Sequence, residues 1–454
     1  MSKNKIILFH PDAEDKTYWL PYSILAIGSA LSSAGYEVIL LDENIKKDKE
    51  NLRTDIESIL RQNIDECLFI GISSFIGNQI RNGLNFAALV RNLNKDIPIV
   101  WGGWHPSILT NITIEDPMVD FIIIGQGEKT ILDLADEFLK VKQDFSHING
   151  LVYKSEGKVI QNRERKSVNR SELPRYDFSL INIDDYIVND PAISDKSISY
   201  ISSQGCPFSC GFCSDRVMYK RKWFPLTATQ MFDDIKALVE NHNIKGISFY
   251  DSNFTVDKNR IMEFCRLVVE SKINFKWAAA SDLFFLQNLS EEEWSLLRDS
   301  GCVRLLVGAE SGSKRILKLI GKNFEPEDVM AIASKSVEYD ISIYFTMITG
   351  WPPNPKEEFE ETRNLIEDIR KITMEHEFII HIYAPFEGTP LYSYACEYGY
   401  EPPVTLKDWS NYDYYKIKTP WVTNEFIEEV QKYRMELNIS YNIHKMRKNL
   451  NSSK

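Results

Sequence analysis

The chain is poor in the features that would send it to a membrane or to nucleic acid. No run of 18 apolar residues occurs, which leaves no candidate for a bilayer-spanning helix. The opening residues, Met1-Ser-Lys-Asn-Lys-Ile-Ile-Leu-Phe9, carry no extended apolar signal region, so a cytoplasmic protein is expected. Basic residues are the minority. The 53 Lys and Arg stand against 65 Asp and Glu, and a formal net charge of −12 argues against binding driven by phosphate contacts. The basic residues of the tail, Lys445, Arg447, Lys448 and Lys454, read as a solvated, frayed end. There is no low-complexity segment and no repeat beyond a β/α alternation. Paired Cys-x-x-Cys halves are missing too. Of the seven cysteines, Cys67, Cys265, Cys302 and Cys396 are scattered singly and read as small buried hydrophobes.

What is present is an ordinary globular composition, 43% hydrophobic and 26% charged, on 454 residues, enough for two or three domains with buried cores. The organising stretch is Cys206-Pro-Phe-Ser-Cys210-Gly-Phe-Cys213, in a loop after the β-prone run 198–203. A reducing compartment disfavours a structural disulfide, so clustered thiols read first as a metal site. Closed structural zinc wants four ligands, and neither a fourth Cys nor a His is near. Thiolates suit iron–sulfur clusters, which normally take four. Three thiolates on a four-iron cube would leave one iron open to a substrate or cofactor. Three incidental loop cysteines, or half of a zinc site, are the competing reading.

Over residues 1–147 short apolar runs alternate with helical patterns. Strands are expected at 6–9, 38–41, 68–72, 97–101 and 121–124, and helices at 21–34, 51–62, 79–93 and 129–139. Continuous apolar strands between helices argue for a Rossmann-like, doubly wound parallel sheet, which binds ligands at the carboxyl ends of its strands. Those ends carry His10, Ser73-Ser74, Gly102-Gly103-Trp104-His105-Pro106 and Gly125-Gln126-Gly127-Glu128. Glycine there lets a backbone approach a ligand closely, although each pair taken alone also reads as a turn. Residues 148–197 read as a hairpin and linker, with β runs at 150–154 and 158–161. Residues 198–392 form a second series, with strands at 198–203, 246–250, 274–279, 303–307, 341–347 and 378–383 separated by helices, as in a partial (β/α)6 barrel. Residues 393–454 make a short helical C-terminal region. Its aromatic run, Trp409, Tyr412, Tyr414 and Tyr415, reads either as a cover for the barrel mouth or as a packing motif.

The Cys206–Cys213 spacing, with Phe212 before the last thiol, resembles the signature of the radical S-adenosylmethionine superfamily. Strands ending in Gly-Gly-x-His-Pro and Gly-x-Gly-Glu ahead of that motif resemble its cobalamin-binding-domain subgroup, over about residues 5–415. The resemblance implies that Cys206, Cys210 and Cys213 hold a 4Fe-4S cluster whose open iron chelates S-adenosylmethionine. It implies S-adenosylmethionine contacts from Phe212, Asp251, Glu310 and Ser311, with Asp251 facing the amino group. For Asp251 an Asx turn or a helix cap is the alternative, and for Ser311 and Ser313 a helix cap. It implies cobalamin contacts from Ser73, Gly102, Gly103, His105, Gly125, Gly127 and Glu128. The sequence departs from the pattern at three places. The Asp-x-His-x-x-Gly loop is absent, so no cobalt ligand is named, and His10 and His105 read as hydrogen-bonding loop residues. Gln126 stands where an acid is common. Ala280-Ser281-Asp282 stands where relatives have an arginine, for which Arg304 or Lys322 would have to substitute. The implied chemistry is a 5′-deoxyadenosyl radical used in cobalamin-dependent C-methylation of a biosynthetic intermediate, small molecule or peptide. Radical cyclisation, oxidation or rearrangement without methyl transfer is the alternative. A non-catalytic iron–sulfur sensor is the remote one. The electron would come from a donor such as flavodoxin or ferredoxin.

Overall fold

The protein is described by a computed structural model covering residues 4–14, 17–45, 48–413 and 417–452, the side chains of 448–452 excepted. Tyr414, Tyr415, Lys454 and the side chain of Lys448 therefore lie outside the described residues.

Strand β1 (Lys5–His10) is buried along nearly its whole length, as a strand covered on both faces must be. It pairs in parallel with β2 (Glu37–Asp42) on one side and β3 (Cys67–Ser73) on the other. β4 (Ile99–Gly102) and β5 (Phe121–Ile123) continue the parallel run. Helices Tyr22–Ser33, Lys49–Asn63 and Asn78–Leu93 make crossovers, and Glu128–Phe138 follows β5. The order 2-1-3-4-5 is doubly wound, with its switch point between β1 and β3. The expected helix at 129–139 begins at Glu128, directly after Gly127.

The hairpin expected in a linker belongs to this sheet. β6 (Leu151–Ser155) pairs antiparallel with β5, and β7 (Lys158–Gln161) with β6. Leu151, Val152 and Tyr153 are buried in one core with Phe121 and Leu134. Burial of that apolar face is what a detached linker would forgo. The chain divides into two units, Met1–Ile187 with Pro402–Tyr414, and Val188–Glu401 with Tyr415–Lys454. A piece of the expected C-terminal region thus returns to the first unit.

In the second unit β8 (Val188–Asp190) pairs antiparallel with β9 (Ser194–Tyr200). A small antiparallel pair, β10 (Ser203–Gly205) and β11 (Trp223–Pro225), follows. Then come β12 (Gly246–Phe249), β13 (Lys276–Ser281), β14 (Cys302–Glu310), β15 (Ser342–Thr349) and β16 (Glu377–Ile382), parallel to one another and to β9. These are the six parallel strands of a curled half-barrel, ordered 16-15-14-13-12-9 with β8 at the edge. Along β15, Ile343, Phe345, Met347 and Thr349 are buried, while Tyr344, Thr346 and Ile348 are partly open. That period of two separates a helix-covered face from the inner wall of the half-barrel. The helix Asn424–Ser452 buries Phe426, Val430, Tyr433 and Leu437, and packs against β16. It runs through the expected frayed tail, where His444 and Lys445 both meet the carboxylate of Glu375.

Candidate functional site

The three thiols lie on the connection between β10 and β11, just past the carboxyl end of β9. That connection needs a glycine at its root. Gly205 has φ +80°, and a Cβ there would collide with the Lys222 carbonyl and the Tyr219 ring. Cys206, Cys210 and Cys213 are all half-buried and free, and Gly211 between them is buried. The loop is tied at its middle. Gly211 N–H donates to the Ile320 carbonyl at 2.8 Å, and Leu391 N–H donates to the Gly211 carbonyl at 3.1 Å. Arg216 holds the Ser209 carbonyl at 2.8 Å. The ring of Phe212 meets Trp351 edge-on at 6.0 Å, and Trp351 stacks on Tyr383 at 4.2 Å.

Burial raises the thiol pKa of Cys206 to about 11 and that of Cys213 to about 12. It raises Cys210 too, with the Lys322 ammonium pulling the other way. Among the described residues no three His, Cys, Asp or Glu side chains converge closely enough to hold one metal ion. A single ion gathers thiolates to about 2.3 Å from one point, whereas a four-iron cube takes each thiolate on a different iron. Three thiols on one braced loop fit the cube.

The neighbouring strand ends differ from expectation in instructive ways. Asp251, after β12, is buried and turned onto its own wall. It accepts from Ser202 N–H at 3.1 Å, from Ser202 Oγ at 2.8 Å and from the hydroxyl of Ser203. Burial raises its carboxyl pKa, against the charge of Arg260 and the two serines. Asp251 thus braces the start of the thiol loop. It caps no helix, since the N-cap of the helix that follows is Asp257. Ser311 Oγ accepts from Ser313 N–H at 3.1 Å and lies 3.3 Å from Thr362 Oγ1, so it organises the turn ahead of helix Lys314–Ile320. Glu310 ends β14 with φ +64° and pairs with Lys322 Nζ at 3.1 Å. Arg304 sits near the other end of β14, held by Asp190 at 3.2 Å and Glu377 at 3.4 Å, which removes it as a substitute cation. Lys322 lies beside the thiol loop.

Sequence reasoning missed Asp215, Trp351 and Glu358. Asp215 follows the last thiol by two residues, and burial raises its carboxyl pKa against a hydrogen bond from Ser252. Glu358 Oε1 accepts from Thr349 Oγ1 at 2.5 Å, Gly350 N–H at 2.6 Å and Trp351 N–H at 3.4 Å.

In the first unit the carboxyl edge is mostly neutral. Gly103 (φ +96°) must be glycine, since a Cβ would stand 2.7 Å from the Ser74 carbonyl. A Cβ on Gly125 would meet nothing within 4 Å, and one on Gly102 only the Ile123 carbonyl at 3.9 Å. Trp104–Ile108 is a short helix where a turn was expected. It buries His105 completely, with Trp409 of the returning segment edge-on at 5.5 Å. Neither His105 ring nitrogen has a hydrogen-bond partner among the described residues. Burial pushes its pKa down to about 3, so the ring is neutral. Tyr412, tilted on Trp409 at 4.8 Å, places its carbonyl where a Cβ on Gly77 would be. Trp409 and Tyr412 therefore form a packing motif on the first sheet. His10 is fully engaged, by Asp42 at 2.8 Å and Gln79 at 3.2 Å. Glu128 is buried. Its carboxyl pKa is raised by burial, against its own helix N–H and the charge of Arg170, and its Oε1 has no hydrogen-bond partner among the described residues. Gln126 donates to the Val168 carbonyl at 3.1 Å and accepts from Val168 N–H at 3.0 Å. An amide does both and an ionised carboxylate cannot, which explains the departure from an acid there. The open glycine edge and the unpartnered, neutral His105 fit a large uncharged-rimmed ligand such as a corrin.

Comparison with known families gives the same division. Residues 200–366 match the model of the radical SAM superfamily, and residues 12–135 match that of the B12 binding domain. Each model accounts for one part of the chain, a B12-binding domain first and a radical S-adenosylmethionine domain after it. These are the modules that take a 4Fe-4S cluster with S-adenosylmethionine, and cobalamin. An uncharacterized methyltransferase of Pyrococcus horikoshii is 28% identical over 312 residues, 68% of this chain and 65% of that protein. The anaerobic magnesium-protoporphyrin IX monomethyl ester cyclase of Rubrivivax gelatinosus is 22% identical over 375 residues, 80% of this chain and 66% of that protein. The alignments thus span just under two thirds of both relatives. TsrM, a radical S-adenosylmethionine methyltransferase from Kitasatospora setae solved with cobalamin and a 4Fe-4S cluster, superposes with a TM-score of 0.72 at 18% identity, over 87% of this chain and 78% of that one. At that identity the likeness concerns the fold. The expected fold class is the observed one.

Proposed function

We propose that the protein is a radical S-adenosylmethionine methyltransferase that places a methyl group on carbon of a small biosynthetic intermediate, with cobalamin as the methyl carrier. The observation that carries this is the pairing, in one chain, of a braced three-thiol loop on a half-barrel with a B12-binding sheet whose carboxyl edge is open at Gly102 and Gly125. When bound, the cluster and S-adenosylmethionine supply a carbon radical that takes a hydrogen atom from an unactivated C–H bond, and cobalamin supplies the methyl group.

The chain's own residues have narrower tasks. Cys206, Cys210 and Cys213 give three thiolates and leave one iron free. Their thiols are held protonated by burial, so each gives up a proton when the cluster enters. Phe212, edge-on to Trp351, keeps the loop in register and would help to exclude water from a bound cluster. Glu310 is the carboxylate next to the loop that can accept from the sulfonium cofactor. Leu306, Tyr344 and Thr346 line the inner wall and present substrate with an apolar, lightly hydroxylated surface. In the first unit Ser73, Gly102, Gly103, Gly125 and Gly127 would receive the corrin, with His105 as a neutral polar group behind them. An oxygen-labile cluster and cysteines that form no disulfide among the described residues fit a cytoplasmic enzyme reduced by a flavodoxin or a ferredoxin.

Anaerobic reconstitution with iron, sulfide and hydroxocobalamin, then incubation with methyl-labelled S-adenosylmethionine and candidate substrates, tests the proposal. Stoichiometric cobalt and label in the product support it. Iron without cobalt, or product without label, turns the assignment to ring-forming or oxidative chemistry of the kind named for the cyclase relative. A cluster that never yields 5′-deoxyadenosine leaves only a sensor.

A further inference from the structure

The turn after helix Lys314–Ile320 brings one ammonium to the thiol loop. Gly321 closes that helix in the left-handed conformation, φ +77°, as such helix ends require. The chain then reverses, and Lys322 N–H donates back to the Leu317 carbonyl at 2.9 Å. The same turn lies against the cysteine loop. Ile320 accepts the Gly211 N–H at 2.8 Å, and a Cβ on Gly321 would stand 3.6 Å from the Ser209 carbonyl. The Lys322 ammonium is fixed from the barrel side, donating to the Gly308 carbonyl at 3.2 Å and pairing with Glu310 at 3.1 Å. Both side chains are largely buried, 18% and 8% exposed, so their fields act through a medium less polarisable than water.

Lys322 is the cation of this buried pair, one residue past the turn that touches the thiol loop.

We propose that Lys322 is a positioning residue for charge: it raises the reduction potential of a cluster held by Cys206, Cys210 and Cys213, while Glu310 partly cancels it. The inference rests on the reading of the three cysteines as cluster ligands. Reduction adds one electron, delivered by a one-electron donor, and breaks no bond at the protein. The cluster with its thiolates becomes more negative by one charge. A fixed positive charge beside it favours that state, and a fixed negative charge opposes it, since net charge near the cluster is one of the levers on its potential. The two residues therefore have opposite signs, which a purely structural pair would not show.

The test uses the full-length chain as wild type, K322M, K322R and E310Q, each reconstituted anaerobically and assayed for iron and sulfide. The midpoint of the cluster is read by EPR during equilibrium reduction with dithionite and mediators, without S-adenosylmethionine. K322M shifts the midpoint to more negative values, E310Q shifts it to more positive values, and K322R stays close to wild type. Equal iron with no shift, or shifts of K322M and E310Q in the same direction, overturns the inference. Should K322M fail to hold iron, the sign of the E310Q shift decides: positive supports the inference, zero or negative overturns it. A wild type that takes up no cluster sinks the reading of the cysteines themselves, a result distinct from unshifted midpoints.

Discussion

The two units solve the same problem, a ligand site at the carboxyl ends of parallel strands, with opposite chemistry. In the first unit the edge from β3 to β5 is made of glycine backbone and neutral side chains, and the acids Asp12, Asp42 and Glu43 gather at the ends of β1 and β2. Its histidines are either bonded on both nitrogens, as His10 is, or enclosed and neutral, as His105 is. The chain's own return segment, with Trp409 and Tyr412, packs on that edge. In the second unit the edge is made of thiols, buried acids and an ion pair, braced by aromatic stacking. A wide uncharged ligand needs room and few fixed charges. A redox cluster needs soft ligands and a controlled field. Backbone openness serves the first, and side-chain electrostatics serve the second.

The sharpest way to break this comparison is to remove a thiol. Cys210→Ala is expected to abolish cluster uptake, and with it all S-adenosylmethionine cleavage, while cobalamin binding by the first unit stays within about twofold of wild type. Iron content beside a cobalt count and an optical spectrum checks both halves. Loss of cobalamin binding together with iron would show that the two edges are not independent. The next largest effect is the converse. Trp409 is buried, and Trp409→Ala leaves a cavity on the first sheet that costs about 3–5 kcal/mol. It should lower the unfolding midpoint of the first unit and weaken cobalamin binding without reducing iron content.

How far the sequence alone reached follows the same line. The parallel strands and their helices were readable because apolar runs and helical spacing are local signals, and β12, β14 and β15 fall within a few residues of expectation. The Cys206–Cys213 spacing was equally local. What escaped depends on distant partners. Asp251 stands at the expected strand end, but its orientation is set by Ser202 and Ser203, 49 and 48 positions earlier. Lys322 lies far along the chain from Cys210, and only the turn at Gly321 joins them. The short helix Trp104–Ile108 was hidden because Gly-Gly-Trp-His-Pro has the composition of a turn, although Pro106 is tolerated in a helix's first turn. The return of Trp409 to His105 spans most of the chain and leaves no periodic trace.

A smaller effect sharpens the contrast in buried charge. Burial raises the Glu358 carboxyl pKa to about 7, despite hydrogen bonds from Thr349, Gly350 and Trp351. Its folded value lies above its unfolded one, so the folded chain binds the proton more tightly. The stabilisation is complete below about pH 4.5 and is lost as pH rises through about 7. The full swing is on the order of 3 kcal/mol. Glu358→Gln should flatten this part of the pH dependence, so that variant and parent draw together in acid and the variant gains above pH 7. Urea denaturation of both proteins over a pH series checks it. An unchanged slope would mean that Glu358 is ionised throughout.

The smallest effect concerns the neutral edge. Gln126 clasps both polar groups of the Val168 peptide, tying the segment that leaves β7 to the loop after β5. Gln126→Glu keeps the size and the acceptor but removes the donor, and sets a carboxylate oxygen against the Val168 carbonyl. The loss should be about 1–2 kcal/mol, that of one hydrogen bond plus an unsatisfied carbonyl. It should appear as faster hydrogen exchange around Val168 and little change at the thiol loop. It should also soften above the carboxyl's pKa and recover below it, since a protonated acid donates again. If the variant is as stable as the parent at neutral pH, the amide is not what closes this loop, and the acid common at this position in relatives would be functionally interchangeable with it.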